Sequence, residues 1–303
     1  MSRLRLGKWL LVRRPRPRRS RLRGRIVSQE LTPVAARRMR CSVTATLRTS
    51  SRVRVLAPCW TFTPDTRVLM RLVYQPSDAL QVRRWQLHFE LVGESTLELA
   101  PDEFYLRFSR GALSLHRGGD DHSGIRMDGR ETLRRLKGAS ALLKACGPPK
   151  GRTILDATAG LGTDLLLLHS KGFTVQGIER NAVLYALLDS YLQAEEINDV
   201  LLTLGDARDE LASATAPVAD VIYLDPMFPE TGKTALPGKR MQHLRALLDE
   251  PTTAPDDLLA LARARARDRV VLKRRRRDPV IGEPAWQVKG KSVRYDVYRT
   301  KSG

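Results

Sequence analysis

The sequence has few cysteines and histidines and contains no long apolar run. Its three cysteines, Cys41, Cys59 and Cys146, are far apart and include no Cys-x-x-Cys pair, which excludes a disulfide framework and fits a reducing compartment. The five histidines also lack the spacing of metal ligands, and we predict no metal site. No apolar run approaches the ~20 residues of a membrane span, and the one near Trp9 is too short for a signal peptide. We therefore expect a cytoplasmic protein without a membrane partner.

Acidic residues are scarce in one part of the chain. Residues 1–69 hold 18 Lys and Arg against Glu30 and Asp65, a net charge of +16, whereas the other 35 cations and 31 acids leave +4. The run "RRPRPRRSRLRGR" at 13–25 follows neither helical nor strand periodicity, so we predict that residues 1–69 form a basic, disordered or loosely ordered arm. Two interpretations stay open. The arm is either a tail that binds a polyphosphate or an extension upstream of a natural start near Met70.

The pattern of a compact protein begins at Met70, and residues 70–147 predict a small α+β segment. Short strand-like pieces, separated by turn residues, read "MRLVYQ", "STLELA", "FYLRFS", "ALSLH" and "GIRMD". The next segment, "ETLRRLKGASALLKACG", has helical spacing and stops at Gly147-Pro148-Pro149, which predicts a helix followed by a linker.

Residues 150–303 alternate between predicted strands and helices. The strands read "RTILDATAG", "FTVQGIE", "VLLTLGD", "ADVIYLD" and "RVVLK", with helical segments such as "NAVLYALLDSYLQAEE" and "PDDLLALARARAR" between them. The last segment, "AWQVKGKSVRYDVYR", alternates in two runs about Gly290 and predicts a hairpin. Repeated β-α units imply an α/β fold with a doubly wound parallel sheet, and the hairpin adds an antiparallel pair at its edge.

An acid follows each of the first four strands of this second domain: Asp156, Glu179, Asp206 and Asp225. Because the carboxyl ends of parallel strands face one ligand crevice, we expect these four carboxylates to converge on one cleft. A single acid after a strand is usually a helix cap or a turn residue, and that interpretation stays open for each of them. Four in series favour a ligand that is cationic or rich in hydroxyl groups.

The turn after the first of these strands indicates which ligand. Gly160 and Gly162 let a ligand approach the backbone, but Leu165 stands where a dinucleotide fingerprint has its third glycine. Asp156 and Asp164 would repel a pyrophosphate at this helix N-terminus. S-adenosylmethionine carries a sulfonium and an ammonium group and no phosphate, so its charge suits the turn. Glu179 would then reach the ribose hydroxyls, and Asp206 the adenine amino group.

The fourth strand ends in "DPMF", which a simple turn would also explain. Beside a methyl donor, Asp225 and the carbonyl of Pro226 can each accept a hydrogen bond from an exocyclic amine, and Phe228 can stack on the base. Such a site works by positioning and electrostatics and requires no metal.

Six segments in order, "LDATAGLGTD", "IERN", "YLDPMFP", "GKTALPGKRM", "VVLKR" and "KGKSVRYDVY", closely resemble the RsmJ-type family. The similarity is strong over about 150–300, weaker over 70–147, and does not reach residues 1–69. It implies a Rossmann-like class I methyltransferase that uses S-adenosylmethionine to methylate the N2 amine of a guanine in bacterial small-subunit (16S) ribosomal RNA, free or in the ribosomal subunit. The donor contacts that it implies are Thr163, Asp164, Glu179, Arg180, Asp206, Ala207 and Asp225.

Three departures from the family pattern stand out. Thr163 occupies a position where arginine is usual, and Asp206 and Ala207 replace a serine pair. The usual His-Arg-Arg is reduced to Leu-Arg-Arg, with Arg134 and Arg135 kept. The first two changes are expected to preserve polar contacts in part, and the third affects how RNA docks.

Two basic runs flank the predicted cleft, one from Lys233 to Arg240 and one, "KRRRR" at 273–277, after the fifth strand. Both are expected to hold RNA phosphates, although a solvated charged loop is the alternative for each. Gly232-Lys233-Thr234 resembles the end of a phosphate-binding loop, but Met227 stands where its first glycine should be. The candidate RNA contacts in the two runs are Lys233, Lys239, Arg240, Lys273 and Arg274.

Three other functions remain open from the sequence. An adenine-N6 methyltransferase could hold its amine in the same Asp-Pro-x-aromatic turn. A non-catalytic RNA-binding module could keep the fold, and a nicotinamide oxidoreductase could use the same sheet edge.

Overall fold

The structure is a computed structural model that describes residues 70–96, 102–119, 124–127, 140–226 and 255–300, with residues 100 and 129. The basic arm, residues 1–69, lies outside this range, so the prediction about its order stays a prediction.

Among the described residues, the N-terminal segment contains a four-stranded sheet in the order β2-β1-β3-β4. Strand β1 pairs in parallel with β2 and β3, whereas β3 and β4 form an antiparallel hairpin. The predicted strand "GIRMD" is reduced to an isolated bridge between Leu115 and Ile125. The elements are β1 (Arg71–Tyr74), α1 (Ala79–Val82), β2 (Glu90–Gly93), β3 (Phe104–Ser109) and β4 (Ala112–Arg117).

The larger sheet has seven described strands in the order β10-β11-β9-β8-β5-β6-β7. Strands β5 to β9 run parallel, and β11 pairs antiparallel with both β9 and β10. This confirms the predicted α/β class with its parallel sheet and antiparallel C-terminal hairpin. The strands are β5 (Thr153–Asp156), β6 (Thr174–Glu179), β7 (Leu201–Leu204), β8 (Ala219–Leu224), β9 (Ala266–Arg275), β10 (Trp286–Lys289) and β11 (Val293–Arg299).

The strand order places a ligand crevice beside β5. From β5 the chain builds outward through β6 and β7 on one side, and then through β8 and β9 on the other. The order therefore reverses between β5 and β8, and open α/β sheets bind their ligands beyond the carboxyl ends of the strands at such a point.

Helices cover both faces of this sheet. On one face α2 and α3 pack on buried side chains such as Tyr223 and Val271, and on the other α5 and α6 pack on Ile222 and Leu272. None of the described helices is long and apolar enough to span a membrane. The helices are α2 (Ser140–Cys146), α3 (Thr163–Ser170), α4 (Ala182–Ala194), α5 (Ala207–Ser213) and α6 (Pro255–Arg265).

The small sheet packs on the larger one through α4. Ala182, Val183 and Leu187 of α4 share a buried apolar cluster with Leu72 and Leu106 of the small sheet. The backbone N–H of Leu113 also donates a buried hydrogen bond of 2.8 Å to the Ser190 hydroxyl. The predicted boundary between residues 70–147 and 150–303 stays a prediction.

Candidate active site

Strand β5 ends at a buried carboxylate. The Asp156 side chain is almost fully enclosed, with 2% of the residue exposed, and its Oδ1 accepts a hydrogen bond of 3.1 Å from the Thr158 N–H. Burial raises the pKa of Asp156 well above its ordinary value, and the nearby charges of Asp164 and Asp225 raise it further, against the lowering effects of the Thr158 N–H and Lys273. Ionising this buried acid therefore costs free energy in the fold without a bound ligand.

The turn between β5 and α3 depends on two glycines with positive φ angles, 55° at Gly160 and 72° at Gly162. A Cβ atom on Gly162 would lie 2.4 Å from Leu188 Cδ1, so only glycine lets this turn pack against α4. The turn leads into Thr163, the first residue of α3, and Asp164 follows in the first helical turn. Glycine at these positions thus brings the Asp164 carboxylate to the edge of the sheet.

Glu179 closes β6 and holds the same glycine turn. One carboxylate oxygen accepts the Gly160 N–H at 2.6 Å, and the other accepts the Asn181 N–H at 2.8 Å. Burial raises the pKa of Glu179, although its backbone donors lower it in part. Arg180, the next residue, is exposed. The carboxylate is thereby fixed beside the turn, and its oxygens retain lone pairs that can accept hydroxyl groups of a ligand.

Asp206 follows β7 and caps helix α5. Its Oδ1 accepts the Arg208 N–H at 2.8 Å, and Ala207 is the first, buried residue of the helix. The capping interpretation of this acid is therefore observed, and it occupies one of the two carboxylate oxygens. The second oxygen lies 3.6 Å from the Arg208 guanidinium.

Lys273 near the end of β9 joins two of the acids. Its ammonium nitrogen lies 2.7 Å from Asp164 Oδ2 and 2.6 Å from Asp225 Oδ2, and the Lys273 side chain is only 15% exposed. Burial by itself would lower the pKa of Lys273, but the carboxylates of Asp225 and Asp164 outweigh it and the pKa is raised. The ammonium is therefore charged at neutral pH and offsets the repulsion between the two acids.

Two buried tyrosines complete this network. The Tyr223 hydroxyl donates a hydrogen bond of 2.6 Å to Asp164 Oδ2. Tyr295 lies directly opposite Lys273 in the β9–β11 ladder, and burial and then the Asp164 charge raise its pKa. Both hydroxyls are therefore held protonated. We refer to Asp156, Asp164, Asp225 and Lys273 as the acid cluster.

Asp225 is the most open of the cluster's acids. Its backbone N–H donates a hydrogen bond of 2.7 Å to Thr158 Oγ1, which ties the end of β8 to the turn after β5. Its side chain is 38% exposed, compared with 13% for Asp164. Pro226 follows at the same edge and is also partly exposed. The carboxylate therefore faces the space above the sheet where a substrate can approach.

The candidate RNA contacts on β9 have other partners in the structure. Lys273 lies within the acid cluster, and the residue Arg274 is only 7% exposed. The Arg274 guanidinium donates to the Pro279 carbonyl at 3.1 Å and lies 3.8 Å from the Asp278 carboxylate. These contacts favour structural roles over the predicted phosphate contacts. The remaining candidates lie outside the described residues: Phe228, Arg134, Arg135, Lys233, Lys239 and Arg240.

Sequence reasoning missed Thr158, Tyr223 and Tyr295 and the internal role of Lys273. Alternate residues of a strand share a face, so Tyr223 and Asp225 could have been placed together from their spacing of two. A tyrosine within the aliphatic run "VIYL" was a further signal, because a buried hydroxyl needs a partner. The contact between Lys273 and Asp164 needs the order of strands in space, which the sequence does not provide.

The chemistry of these side chains fits a cationic ligand. At the carboxyl edge of the sheet, Lys273 contacts two of the three carboxylates of the acid cluster, and Glu179 lies at the glycine turn, where the charge of Arg180 acts on it. Asp164 in the first turn of α3 opposes the phosphate that a dinucleotide would bring to that helix end. A ligand with positive charge and ribose hydroxyls is the better match.

Comparison with known proteins agrees with this assignment. Residues 82–300 match the family model of SAM-dependent methyltransferases. A crystal structure of a SAM-dependent methyltransferase from Neisseria gonorrhoeae has a TM-score of 0.61 and 26% sequence identity, covering 77% of this chain and 97% of that one. The chain therefore belongs to the S-adenosylmethionine-dependent methyltransferases and uses that cofactor.

Similarity to curated proteins identifies the particular methyltransferase family. "Ribosomal RNA small subunit methyltransferase J" of Alkalilimnicola ehrlichii is 41% identical over 220 residues, which cover 66% of this chain and 83% of the relative. The protein of the same name from Pseudomonas fluorescens strain Pf0-1 is 37% identical over 246 residues, 75% of this chain and 93% of the relative. The chain belongs to this methyltransferase J family.

Proposed function

We propose that this protein methylates the exocyclic N2 amine of a guanine in small-subunit ribosomal RNA. The names of the curated relatives support the RNA substrate. The observation that carries the proposal is the placement of Asp225. This residue directly follows β8 beside the switch point, contacts Thr158 and Lys273, and keeps a partly exposed carboxylate.

The cofactor supplies an electrophilic methyl group on a positively charged sulfur. Within the chain, Asp164 in the first turn of α3 places negative charge at the glycine turn, where a cation is favoured and a phosphate is not. The buried Asp156 lies at the same turn, and because burial raises its pKa, a cation beside it would favour its ionisation. Glu179, anchored by two backbone N–H groups, is the residue we assign to the ribose hydroxyls. Asp206 keeps lone pairs for the adenine amino group while it caps α5. Thr163, Arg180 and Ala207 adjoin these acids.

The guanine amine is a weak nucleophile because its lone pair is conjugated with the ring. Asp225 can accept one amine N–H, and the Pro226 carbonyl, which has no N–H of its own beside it, can accept the other. Two acceptors fix the direction of the nitrogen lone pair, and such positioning can lower a barrier by up to ~7 to 11 kcal/mol. The amine loses one proton over the reaction, and we assign its acceptance to Asp225.

Lys273 supports this role of Asp225. Its ammonium contacts Oδ2 at 2.6 Å and so fixes the rotamer of the carboxylate at the end of the sheet. Phe228 is proposed to stack on the base. The target base must be exposed or flipped out of its stack, at a cost of a few kcal/mol that RNA contacts have to offset.

Methyl transfer to ribosomal RNA from cells that lack this protein tests the proposal. With S-adenosylmethionine and purified small subunits or their RNA, we expect nucleoside mass spectrometry to show N2-methylguanosine as the product. N6-methyladenosine would instead indicate an adenine methyltransferase. Donor binding without any methylated product from either substrate would indicate an RNA-binding module that keeps the fold.

A further inference from the structure

A basic pocket lies beyond the acid cluster, at the end of β9. It has a volume of about 640 Å³ and is formed by the turn after β9 and the turn between β10 and β11. We define the basic pocket by its lining residues, Arg275, Arg276, Arg277, Lys291 and Ser292. Four of these five residues are cationic and none is acidic.

A buried ion pair holds the turn that carries the arginines. The Arg294 guanidinium and the Asp296 carboxylate pair at 2.9 Å and 3.1 Å, and these residues are 4% and 0% exposed. The same guanidinium donates to the carbonyls of Arg276 at 3.1 Å, Asp278 at 2.6 Å and Pro279 at 3.0 Å. The carbonyl dipoles of the turn are thus satisfied from the inside, so the turn is fixed in place.

The second turn is tied to the first. The Arg276 N–H donates to the Ser292 carbonyl at 3.2 Å, and Arg275 pairs with Val293 at the end of the ladder. Lys291 is therefore kept beside the arginines and does not swing independently of them. Hydrogen bonds therefore fix the backbone of the basic pocket, although its side chains reach into solvent.

Within the described part of the chain, the side chains of Arg275, Arg276, Arg277 and Lys291 make no hydrogen bond or ion pair, whereas those of Arg274 and Arg294 on the adjoining strands do. The Asp278 carboxylate of the same turn accepts the Arg275 backbone N–H at 3.2 Å and lies 3.8 Å from the Arg274 guanidinium. Four like charges gathered around one concave surface repel one another unless an anion is present. Arginine forks match the oxygens of a phosphate group in two-point contacts.

The position of the basic pocket indicates a polymeric ligand. Arg275 is two residues beyond Lys273, on the same face of β9, at a distance of about 7 Å along the strand. Lys273 itself touches Asp225. One bound strand could therefore place a base at Asp225 and its neighbouring phosphates in the basic pocket.

We infer that the basic pocket binds backbone phosphates of the RNA substrate, next to the nucleotide whose base enters the acid cluster. This inference rests on the proposed function and adds to it the surface that docks the RNA. The Arg294–Asp296 pair is a positioning element for this surface, since it holds the turn without reaching the ligand.

The test compares two triple variants of the full chain with equal loss of charge. One is Arg276→Ala, Arg277→Ala and Lys291→Ala. The control is Arg83→Ala, Lys150→Ala and Lys171→Ala, which removes exposed cations that belong to neither of the two turns forming the basic pocket. Binding of a fluorescein-labelled small-subunit ribosomal RNA transcript is measured by anisotropy across a salt series, and binding of S-adenosylhomocysteine by calorimetry.

We expect the pocket variant to lose at least tenfold in RNA affinity at low salt. The slope of log affinity against log salt should become shallower by about 2, because three contacts to single-stranded phosphate contribute about 0.7 each. The control should stay within twofold of the unaltered chain, and both variants should bind S-adenosylhomocysteine normally. A pocket variant that matches the control in affinity and slope would overturn the inference.

The methylation and RNA-binding results together distinguish a failure of this inference from a failure of the proposed function. If the unaltered chain produces N2-methylguanosine while the pocket variant binds RNA normally, only the phosphate site is wrong. If the pocket variant loses RNA binding while the unaltered chain methylates no guanine, the phosphate site stands and the proposed function is wrong.

Discussion

The acid cluster and the basic pocket are neighbours at one edge of the sheet, but the charged side chains of the first are paired and enclosed, whereas those of the second are mostly exposed. In the acid cluster the ammonium of Lys273 lies within 2.7 Å of two carboxylates, and the Tyr223 hydroxyl donates a further short hydrogen bond to one of them, Asp164. In the basic pocket the cationic side chains are mostly exposed and have no described partner. Paired, enclosed charges hold atoms in fixed positions, whereas exposed, unpaired cations attract a polyanion without fixing its geometry.

A single run of sequence supplies both the enclosed, paired cations and the exposed ones. "KRRRR" at 273–277 begins with Lys273 in the acid cluster, continues with the enclosed Arg274, and ends with three arginines that line the basic pocket. Strand alternation places Lys273 and Arg274 on opposite faces of β9; Arg275 is the last residue of that strand, and Arg276 and Arg277 lie in the turn after it. Burial therefore separates the cation of the acid cluster from the cations that we infer to bind RNA.

The largest effect is expected from Asp225→Asn, which keeps the shape of the side chain and removes its charge. The turnover number for methyl transfer should fall about 100-fold or more, since the change removes the proton acceptor for the amine. RNA affinity should stay within twofold, because the phosphate contacts that we propose lie in the basic pocket. Quench-flow or radiolabel assays with saturating RNA measure the rate. The exposed Asp209 provides the matched control as Asp209→Asn, and equal rates for the two variants would remove Asp225 from the mechanism.

Lys273→Met tests whether the acid cluster is held together by its cation. The change leaves two acids close to one another without a counter-charge, and we expect a loss of about 2 to 3 kcal/mol in the free energy of unfolding. The value is set below that of a fully buried pair because the Asp225 side chain is 38% exposed. Urea titration measures it. The exposed Lys289→Met should change stability by less than about 0.5 kcal/mol, and a similar value for Lys273→Met would show that the pair contributes little.

Tyr223→Phe removes the hydroxyl that donates to Asp164 and leaves the ring in place. A hydrogen bond to a charged group contributes about 1.5 to 3 kcal/mol, and Lys273 remains to bind the same oxygen, so we expect a loss near the lower end. Thermal and urea unfolding should agree on this value. Tyr74→Phe in the small sheet is the control, and an effect no larger than the control's would mean that Asp164 does not need the hydroxyl.

The smallest effect, with the opposite sign, is expected for Asp156→Asn. Burial raises the pKa of Asp156, so in the original protein the unfolded chain releases this proton at a lower pH than the folded chain does. Stability therefore falls as pH rises from the ordinary aspartate value through the raised one. The asparagine variant should gain about 1 kcal/mol near neutral pH and little near pH 4. Its affinity for S-adenosylhomocysteine should fall, and a variant that is less stable at both pH values would contradict this account.

Much of the architecture could be predicted from the sequence because its signals are local. Alternating apolar runs and glycine turns predicted β5, β6 and β8, and the repeat of strand and helix predicted a parallel sheet. The "ELVG" segment of β2 is too short to stand out from its surroundings, and the Ala207–Ser213 helix follows its strand within two residues. Pairing with neighbours in space, and not intrinsic preference, stabilises such short elements.

Some features of the candidate site could likewise be predicted from local sequence, and others could not. The positions of Asp156, Glu179 and Asp225 at strand ends followed from the chain alone, and the structure brings them to one edge. The partners of Lys273 could not be predicted from the chain alone. Lys273 meets Asp164 only because β9, β8 and β5 are neighbours in the sheet, and this strand order is a tertiary property. The basic run was identified from composition, but its separation into enclosed and exposed cations required the structure.

The salt dependence of RNA affinity in Lys273→Met and Arg277→Met tests the central distinction most directly. Both changes remove one cation from the same run, and both variants are first shown to be folded. We predict that Arg277→Met makes the slope of log affinity against log salt shallower by about 0.7, as expected for one lost contact to single-stranded phosphate, while Lys273→Met leaves the slope unchanged. If Lys273→Met flattens the slope as much as Arg277→Met does, Lys273 binds RNA phosphate and burial does not separate the two roles.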